Sequence, residues 1–521
     1  MSTAKASSTR TSPAGAPSTP QLAPLLESIV ALRNDVMTRG EALYAEWQPR
    51  IKRPAFVAAA RNLALYLALR RNDLRPLQHR LAASGLSSLG RSESHVQPSL
   101  DAIAAMLGTA SGGAATDRIA FPTAESFFAG ERTIASEATA IFGRGLHGRN
   151  TRIMVTLPPE AANDTEFIEA ILRAGAECVR INCAHDTPDD WAAMITNLRH
   201  AEETVGDGRQ VRLLMDLGGL KMRTVLPEKP SKHRFVKGDT LLLMRDLSAH
   251  HHTDLPHIGC TLPQVFEQLA PGAQVWIDDG QIGAIVTKMV GDDALLTITQ
   301  APPDGKKIRA DKGLNFPDTE LDAAPLTAKD YDDLAFVVRH ADMIGYSFVQ
   351  SAADVAMLQG AIGQNLPTDR PAPTLVLKIE TKRAVRNLPE IIVQSAAGLP
   401  TAVMIARGDL AVELGYARLA EMQEEILWLC EAARVPVIWA TQVLEHMAEE
   451  GMPSRSEVSD VVLANRAECV MLNKGPYIVD AVRWLDHVLL RAQANQHKKS
   501  PQMRALSAWQ ELFSDAPAHA A

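Results

Sequence analysis

The sequence predicts an α/β fold: a TIM-type (β/α)8 barrel with an inserted small β-barrel domain, preceded by an α-helical module. Three observations lead there. From Arg152 onward, short apolar runs alternate with amphipathic helical stretches and give eight strand candidates, the count of such a barrel. From about Val225 to Ala310 that rhythm breaks into short alternating segments parted by Gly and Asp turns, as expected of a β domain inserted between a barrel strand and its helix. Lys378, Glu380 and Asp409 stand at the ends of successive apolar runs, where barrels carry their chemistry.

The elements follow in order. Residues 1–20 hold no acid and are rich in Ser, Thr, Ala and Pro, the composition of a disordered tail. An organellar leader shares some of these traits, but the prolines spoil an amphipathic helix. Residues 21–107 read as a helical module, with Leu22, Leu25, Leu26, Ile29 and Leu32 on one stripe. Its many arginines read first as a solvated helix face. Residues 108–147, opening on Gly108-Thr109-Ala110-Ser111-Gly112-Gly113, read as a linker. Barrel strands are expected at Ile153–Thr156, Cys178–Ile181, Val211–Met215, Asp342–Tyr346, Thr374–Leu377, Ala402–Ile405, Val435–Trp439 and Cys469–Leu472. The barrel then spans 148–224 and 311–495, the inserted domain 225–310, and a tail 496–521.

Composition narrows the class. With 521 residues, 46% hydrophobic, the chain can bury a large core, and its net charge of −8 gives no support for a nucleic-acid role. No apolar run is long enough for a bilayer, and five cysteines without metal-ligand spacing read as reduced core thiols of a cytoplasmic protein.

Lys378 and Glu380, two apart on a strand, point to the same face. With Asp409 from the next strand they could hold a divalent cation on oxygen beside an ammonium, which suits phosphoryl transfer or enolate stabilisation. The same residues read equally as a buried ion pair, with Asp409 capping a helix.

More of the chain decides between these. Arg180-Ile181-Asn182-Cys183-Ala184-His185 resembles R-L-N-F-S-H, and Asp216 to Arg223 resembles D-T-K-G-P-E-I-R. Ile277-Asp278-Asp279-Gly280 resembles V-D-D-G, and Lys312-Gly313-Leu314-Asn315-Phe316-Pro317 resembles K-G-V-N-L-P. Lys378-Ile379-Glu380, Ala406-Arg407-Gly408-Asp409-Leu410 and Ala440-Thr441-Gln442-Val443-Leu444-Glu445 follow in the same order. From about Thr151 to Arg491 the chain thus resembles the pyruvate kinase family.

The resemblance implies phosphoenolpyruvate plus ADP giving pyruvate and ATP, through an enolate held on Mg²⁺, with Mn²⁺ as a substitute. It implies that Lys378 and Arg180 contact the phosphoryl group and that Glu380 and Asp409 hold the metal. N–H groups near Gly408 and Asp409 would take the substrate carboxylate, and Thr441 would deliver a proton through water. His185, Arg223 and Lys312 would surround the nucleotide under the inserted domain as lid. It also implies a homo-oligomer built on barrel contacts, with no nucleic-acid or membrane partner.

Departures matter as well. Of the family's monovalent-cation site, Asn182 and Asp216 survive, while Ala184 and Leu217 replace its Ser and Thr. Lys221 replaces the Glu of K-G-P-E, so a fixed ammonium would stand in for K⁺ and activity is expected without that ion. Gly218, Leu220, Gln350 and Asn473-Lys474-Gly475 depart from the pattern too, and the family's regulatory C-terminal domain is not expected, since about one helix and a tail follow the barrel. Two alternatives therefore stay open: a lyase or aldolase on a 2-oxo acid, and a non-catalytic phosphoenolpyruvate sensor.

Overall fold

The computed structural model describes residues 22–112, 119–248, 254–319 and 324–502. The expected N-terminal tail and most of the expected C-terminal tail lie outside the described residues. Eight parallel strands close a barrel: β1 (Arg152–Thr156), β2 (Cys178–Asn182), β3 (Arg212–Asp216), β11 (Met343–Tyr346), β12 (Thr374–Ile379), β13 (Thr401–Ala406), β14 (Val437–Ala440) and β15 (Cys469–Leu472). Their order around the barrel is β1-β15-β14-β13-β12-β11-β3-β2. Around them run α7 (Thr165–Ala174), α8 (Pro188–Val205), α9 (Ala328–His340), α10 (Ala352–Asn365), α11 (Lys382–Ala396), α12 (Arg407–Leu414), α13 (Tyr416–Ala432), α14 (Glu445–Glu450), α15 (Arg455–Ala464) and α16 (Ile478–Gln493).

Local chemistry sets these boundaries. Thr187 with Asp190, Thr327 with Asp330, Ser351 with Asp354 and Ser454 with Glu457 form capping boxes that satisfy the first free N–H groups of α8, α9, α10 and α15. The two-residue period of the strands then sorts side chains. Leu375, Leu377 and Ile379 of β12 face the helices, whereas Val376 faces the barrel interior with Met154, Leu214, Met404 and Ile438. That same alternation turns Lys378 inward.

The second sheet is the inserted domain. Its strands are β4 (Thr224–Val225), β5 (Thr240–Met244), β6 (His257–Cys260), β7 (Gln274–Ile277), β8 (Ile282–Val290), β9 (Asp293–Gln300) and β10 (Leu314–Asn315). They lie in the order β10-β7-β8-β9-β5-β6-β4. The domain runs beyond the expected 225–310 at both ends, because Arg223 bridges Gly313 and β10 pairs with β7. A separate apolar cluster around Leu241, Val275, Ile282 and Leu296 supports it.

The N-terminal module consists of α1 (Leu22–Trp47), α2 (Pro54–Arg70), α3 (Arg75–Ala83) and α4 (Val96–Ala110). Their buried residues are continuous with those of the barrel's outer layer, so module and barrel share one core. Asn62 donates to the carbonyls of Glu93 (2.7 Å) and Ala432 (2.8 Å), and Trp47 Nε1 donates to Glu390 (2.7 Å).

The linker expected over 108–147 is corrected by a helix within it. After the short α5 (Ala124–Phe127), α6 (Ala129–Phe142) runs for 14 residues. Ala138, Ile141 and Phe142 pack into the barrel-interior cluster beside Cys178 and Cys469, closing the floor of the barrel. Its glycine-rich preface disguised it, since burial under a barrel outweighs local propensity. The start of the expected C-terminal tail is likewise a two-stranded hairpin, β16 (Gln496–His497) and β17 (Ser500–Pro501). Lys498 pairs with Glu468, and Lys499 reaches Glu93 at 2.5 Å, so the hairpin ties the module to the barrel.

Beside that tie lies Glu431, whose carboxyl burial pushes from 4.5 up to about 7, with Lys498 opposing and Glu93 and Glu468 adding to the rise. The folded chain keeps this proton where the unfolded chain has released it, so stability falls as pH rises from about 4.5 through 7. Glu431→Gln is expected to leave thermal stability unchanged at pH 5 and to raise it by about 1–3 kcal/mol at pH 8. Thermal unfolding at the two pH values checks this; equal shifts at both would contradict it.

Candidate active site

The C-terminal mouth of the barrel opens into a cavity of about 440 Å³. Arg180, Asn182, His185, Lys221, Arg223, Lys378, Glu380, Asp409 and Thr441, all expected site residues, line it. Lys312 stays outside, bound to Asp278 at 3.2 Å in the root of the inserted domain. Arg223 is held by the Asp311 carbonyl at 3.0 Å, also in that root.

At the base sits Asp216, fully buried at the end of β3. Its Oδ2 accepts from Arg180 Nη2 (2.5 Å) and Nε (2.9 Å) and lies 3.2 Å from Lys378 Nζ. Burial alone would raise its pKa, but Lys378 and Arg180 outweigh that and hold the carboxyl below its ordinary range. The register places Gly345 of β11 directly beside Asp216. A Cβ at Gly345 would lie 2.3 Å from Asp216 Oδ1, so the carboxylate reaches its place only because that strand position lacks a side chain.

Lys378 shows the reverse balance. Burial pulls its pKa down, yet Asp216 and then Glu380 lift it, so the ammonium stays charged. It also donates to Ser347 Oγ at 2.6 Å. Glu380 lies 3.3 Å from Lys378 and accepts from the Phe348 N–H at 2.6 Å. Burial nevertheless raises Glu380, and Asp409 raises it further. Lys378 is thus chiefly the partner of Asp216, and Glu380 is left under-compensated.

Asp409 opens α12. Lys221 Nζ stands 3.0 Å from its Oδ1 and 3.1 Å from its Oδ2, but only the second contact has hydrogen-bond geometry, and Oδ1 is buried without a hydrogen bond. Lys221, expected to supply a fixed charge in place of K⁺, makes its ion pairs to Asp409 and, at 4.0 Å, to Asp279 of the inserted domain.

On the next strand end, Thr441 Oγ1 donates to the Ala440 carbonyl (2.7 Å) and accepts from the Gly408 N–H (2.7 Å). That N–H, expected to face a substrate carboxylate, is therefore taken up by Thr441. Thr441, Gln442 and Leu444 all have positive φ (63°, 53° and 49°), a costly run for side-chain-bearing residues. Arg407 holds it, donating to the carbonyls of Ala440 (3.0 Å) and Thr441 (2.6 Å) and pairing with Asp460 (2.5 Å).

Sequence reasoning missed Ser347 and the Arg407–Asp460 clamp. Ser347 follows β11 directly, so the strand-end rule that found Lys378 could have found it; the clamp joins distant segments and leaves no local signal.

A metal can be tested against this donor set. Glu380 and Asp409 provide two carboxylates, one poorly compensated and one with an orphaned oxygen. No group of three or more His, Cys, Asp or Glu forms a metal site among the described residues. The two carboxylates fit Mg²⁺, which binds through one or two carboxylates and takes its other ligands from substrate and water.

Fold and site define a (β/α)8-barrel protein with an inserted β domain and a lysine–carboxylate centre at its strand ends. Residues 148–482 match the family model described as the pyruvate kinase barrel domain. The rat protein named pyruvate kinase PKLR is 32% identical over 359 residues, covering 66% of this chain and 59% of its own length. Pyruvate kinases of Agaricus bisporus (31%, covering 66% and 64%) and Mycobacterium tuberculosis (30%, covering 68% and 72%) are similar too. The chain belongs to the pyruvate kinase family. It spans about three-fifths of the length of the mammalian relatives it matches, and no helix among the described residues is long and apolar enough to cross a membrane.

Proposed function

We propose that the protein transfers a phosphoryl group between phosphoenolpyruvate and ADP, using Mg²⁺ or Mn²⁺ and no K⁺. The observation that carries this reading is Lys378, a buried ammonium kept charged by Asp216 and aimed into the cavity with Arg180. In such a transfer the bond from phosphorus to the enol oxygen breaks and one to the ADP terminal oxygen forms. Lys378 and Arg180 offset the charge that moves between those oxygens, and Asp216 holds both cations in place before reaction. A divalent cation bound by Glu380 and Asp409 would supply further positive charge at the substrate oxygens.

The enolate left behind needs a proton on carbon. The Thr441 hydroxyl proton is committed to the Ala440 carbonyl, but Oγ1 keeps a free lone pair. It can therefore orient a water, and the water gives the proton. His185 and Arg223 line the same cavity and suit the nucleotide phosphates, with Lys312 swinging in from the lid. A homo-oligomer through barrel contacts and a cytoplasmic location belong to the same reading.

A coupled lactate dehydrogenase assay with phosphoenolpyruvate, ADP and Mg²⁺ tests it. Turnover is expected in tetramethylammonium buffer and is expected to change less than about twofold on adding KCl, because the Lys221 ammonium carries the same sign of charge. A protein silent without K⁺ and active with it overturns the K⁺-independent part. Phosphoenolpyruvate binding without turnover favours a sensor, and cleavage of a 2-oxo acid without ADP favours a lyase.

A further inference from the structure

Lys221 sits where it can do more than replace a monovalent ion. It follows Gly219, whose φ of 66° and close approach to Ser347 make the tight bend between β3 and the lid. Its side chain is only a quarter exposed and crosses the lid root against Gly313. Its ammonium stands between Asp409 of the barrel (3.0 Å) and Asp279 of the lid (4.0 Å).

We propose that Lys221 is a tethered competitor for the divalent-cation site: its ammonium covers Asp409 until a metal displaces it. This rests on the reading that Glu380 and Asp409 bind the metal. One ammonium can offset the charge of one carboxylate, and here it is spent on Asp409, whose Oδ1 still lacks a hydrogen bond. A divalent cation between the two acids offsets both, so exchange favours the metal while the displaced ammonium weakens its apparent affinity. The released lysine swings on the Gly218-Gly219 bend into the cavity, where its charge can serve the phosphoryl group. The same movement breaks the bridge from Asp409 to Asp279, so metal binding and lid position are coupled through one side chain.

Mn²⁺ binding to the full-length protein without substrate, followed by electron paramagnetic resonance of the free ion, tests this. Lys221→Met and Lys221→Gln are each expected to bind Mn²⁺ roughly tenfold more tightly than wild type, at the same number of sites. Equal or weaker affinity in both variants overturns the competition. Glu380→Gln separates the two readings. If it binds Mn²⁺ as wild type does, the metal assignment itself has failed; if it loses Mn²⁺ while the Lys221 variants show no tightening, only the competition has failed.

Discussion

Lys378→Ala is expected to lower phosphoryl transfer by about three orders of magnitude while leaving proton exchange at the methyl group of pyruvate partly intact. On the proposed reading the ammonium would act where charge passes between oxygens, whereas exchange would draw on the carboxylate–metal side and on a water oriented by Thr441. Loss of Lys378 also strips Asp216 and Glu380 of a shared cation, with Arg180 remaining to Asp216 alone. A stability loss of about 3–5 kcal/mol is therefore expected alongside the kinetic effect. Coupled turnover, NMR of pyruvate deuteration and thermal unfolding on one preparation distinguish the contributions. Exchange destroyed with transfer spared would sink the role assigned to Lys378.

Glu380→Gln and Asp409→Asn should each abolish metal-dependent turnover, by about a thousandfold or more, through a different route. Glu380 is an anion that its own burial and Asp409 disfavour. Neutralising it relieves the metal-free protein, so Glu380→Gln should fold at least as stably as wild type without metal. What it should lose is the upward shift of the unfolding midpoint expected of wild type on adding Mg²⁺. Asp409→Asn should lose that shift too, and it also frees Lys221. Near-normal turnover in both variants would remove these acids from the metal site.

The sequence showed the barrel plainly because strand and helix periods are local. Val376 and Lys378 turn inward by the same alternation that buries Leu375 and Leu377 against the helices, and all of it can be counted along the chain. The site was legible for two reasons: Lys378, Glu380 and Asp409 stand at strand ends, where barrel chemistry gathers, while Arg180 and Asp216 were marked only by the family motifs. Helix α6 was not legible. Its apolar face is short, it follows a glycine-rich stretch, and only the barrel floor makes it a helix worth forming.

Residue types, their order and the face each presents were thus determined by the sequence alone, since each depends on a few neighbours. Partnership was decided only by the tertiary structure. Lys221 could have turned to solvent, to Asn182 and Asp216 or to Asp409, and nothing local ranks these. The bend at Gly219 and the lid root at Gly313 aim it at Asp409. Thr441 likewise needed the Arg407–Asp460 clamp, assembled from three separate segments, to bring its hydroxyl to Gly408. Electrostatic and hydrogen-bond energies depend on ångström-scale distances between groups far apart in the chain, and folding is what sets those distances.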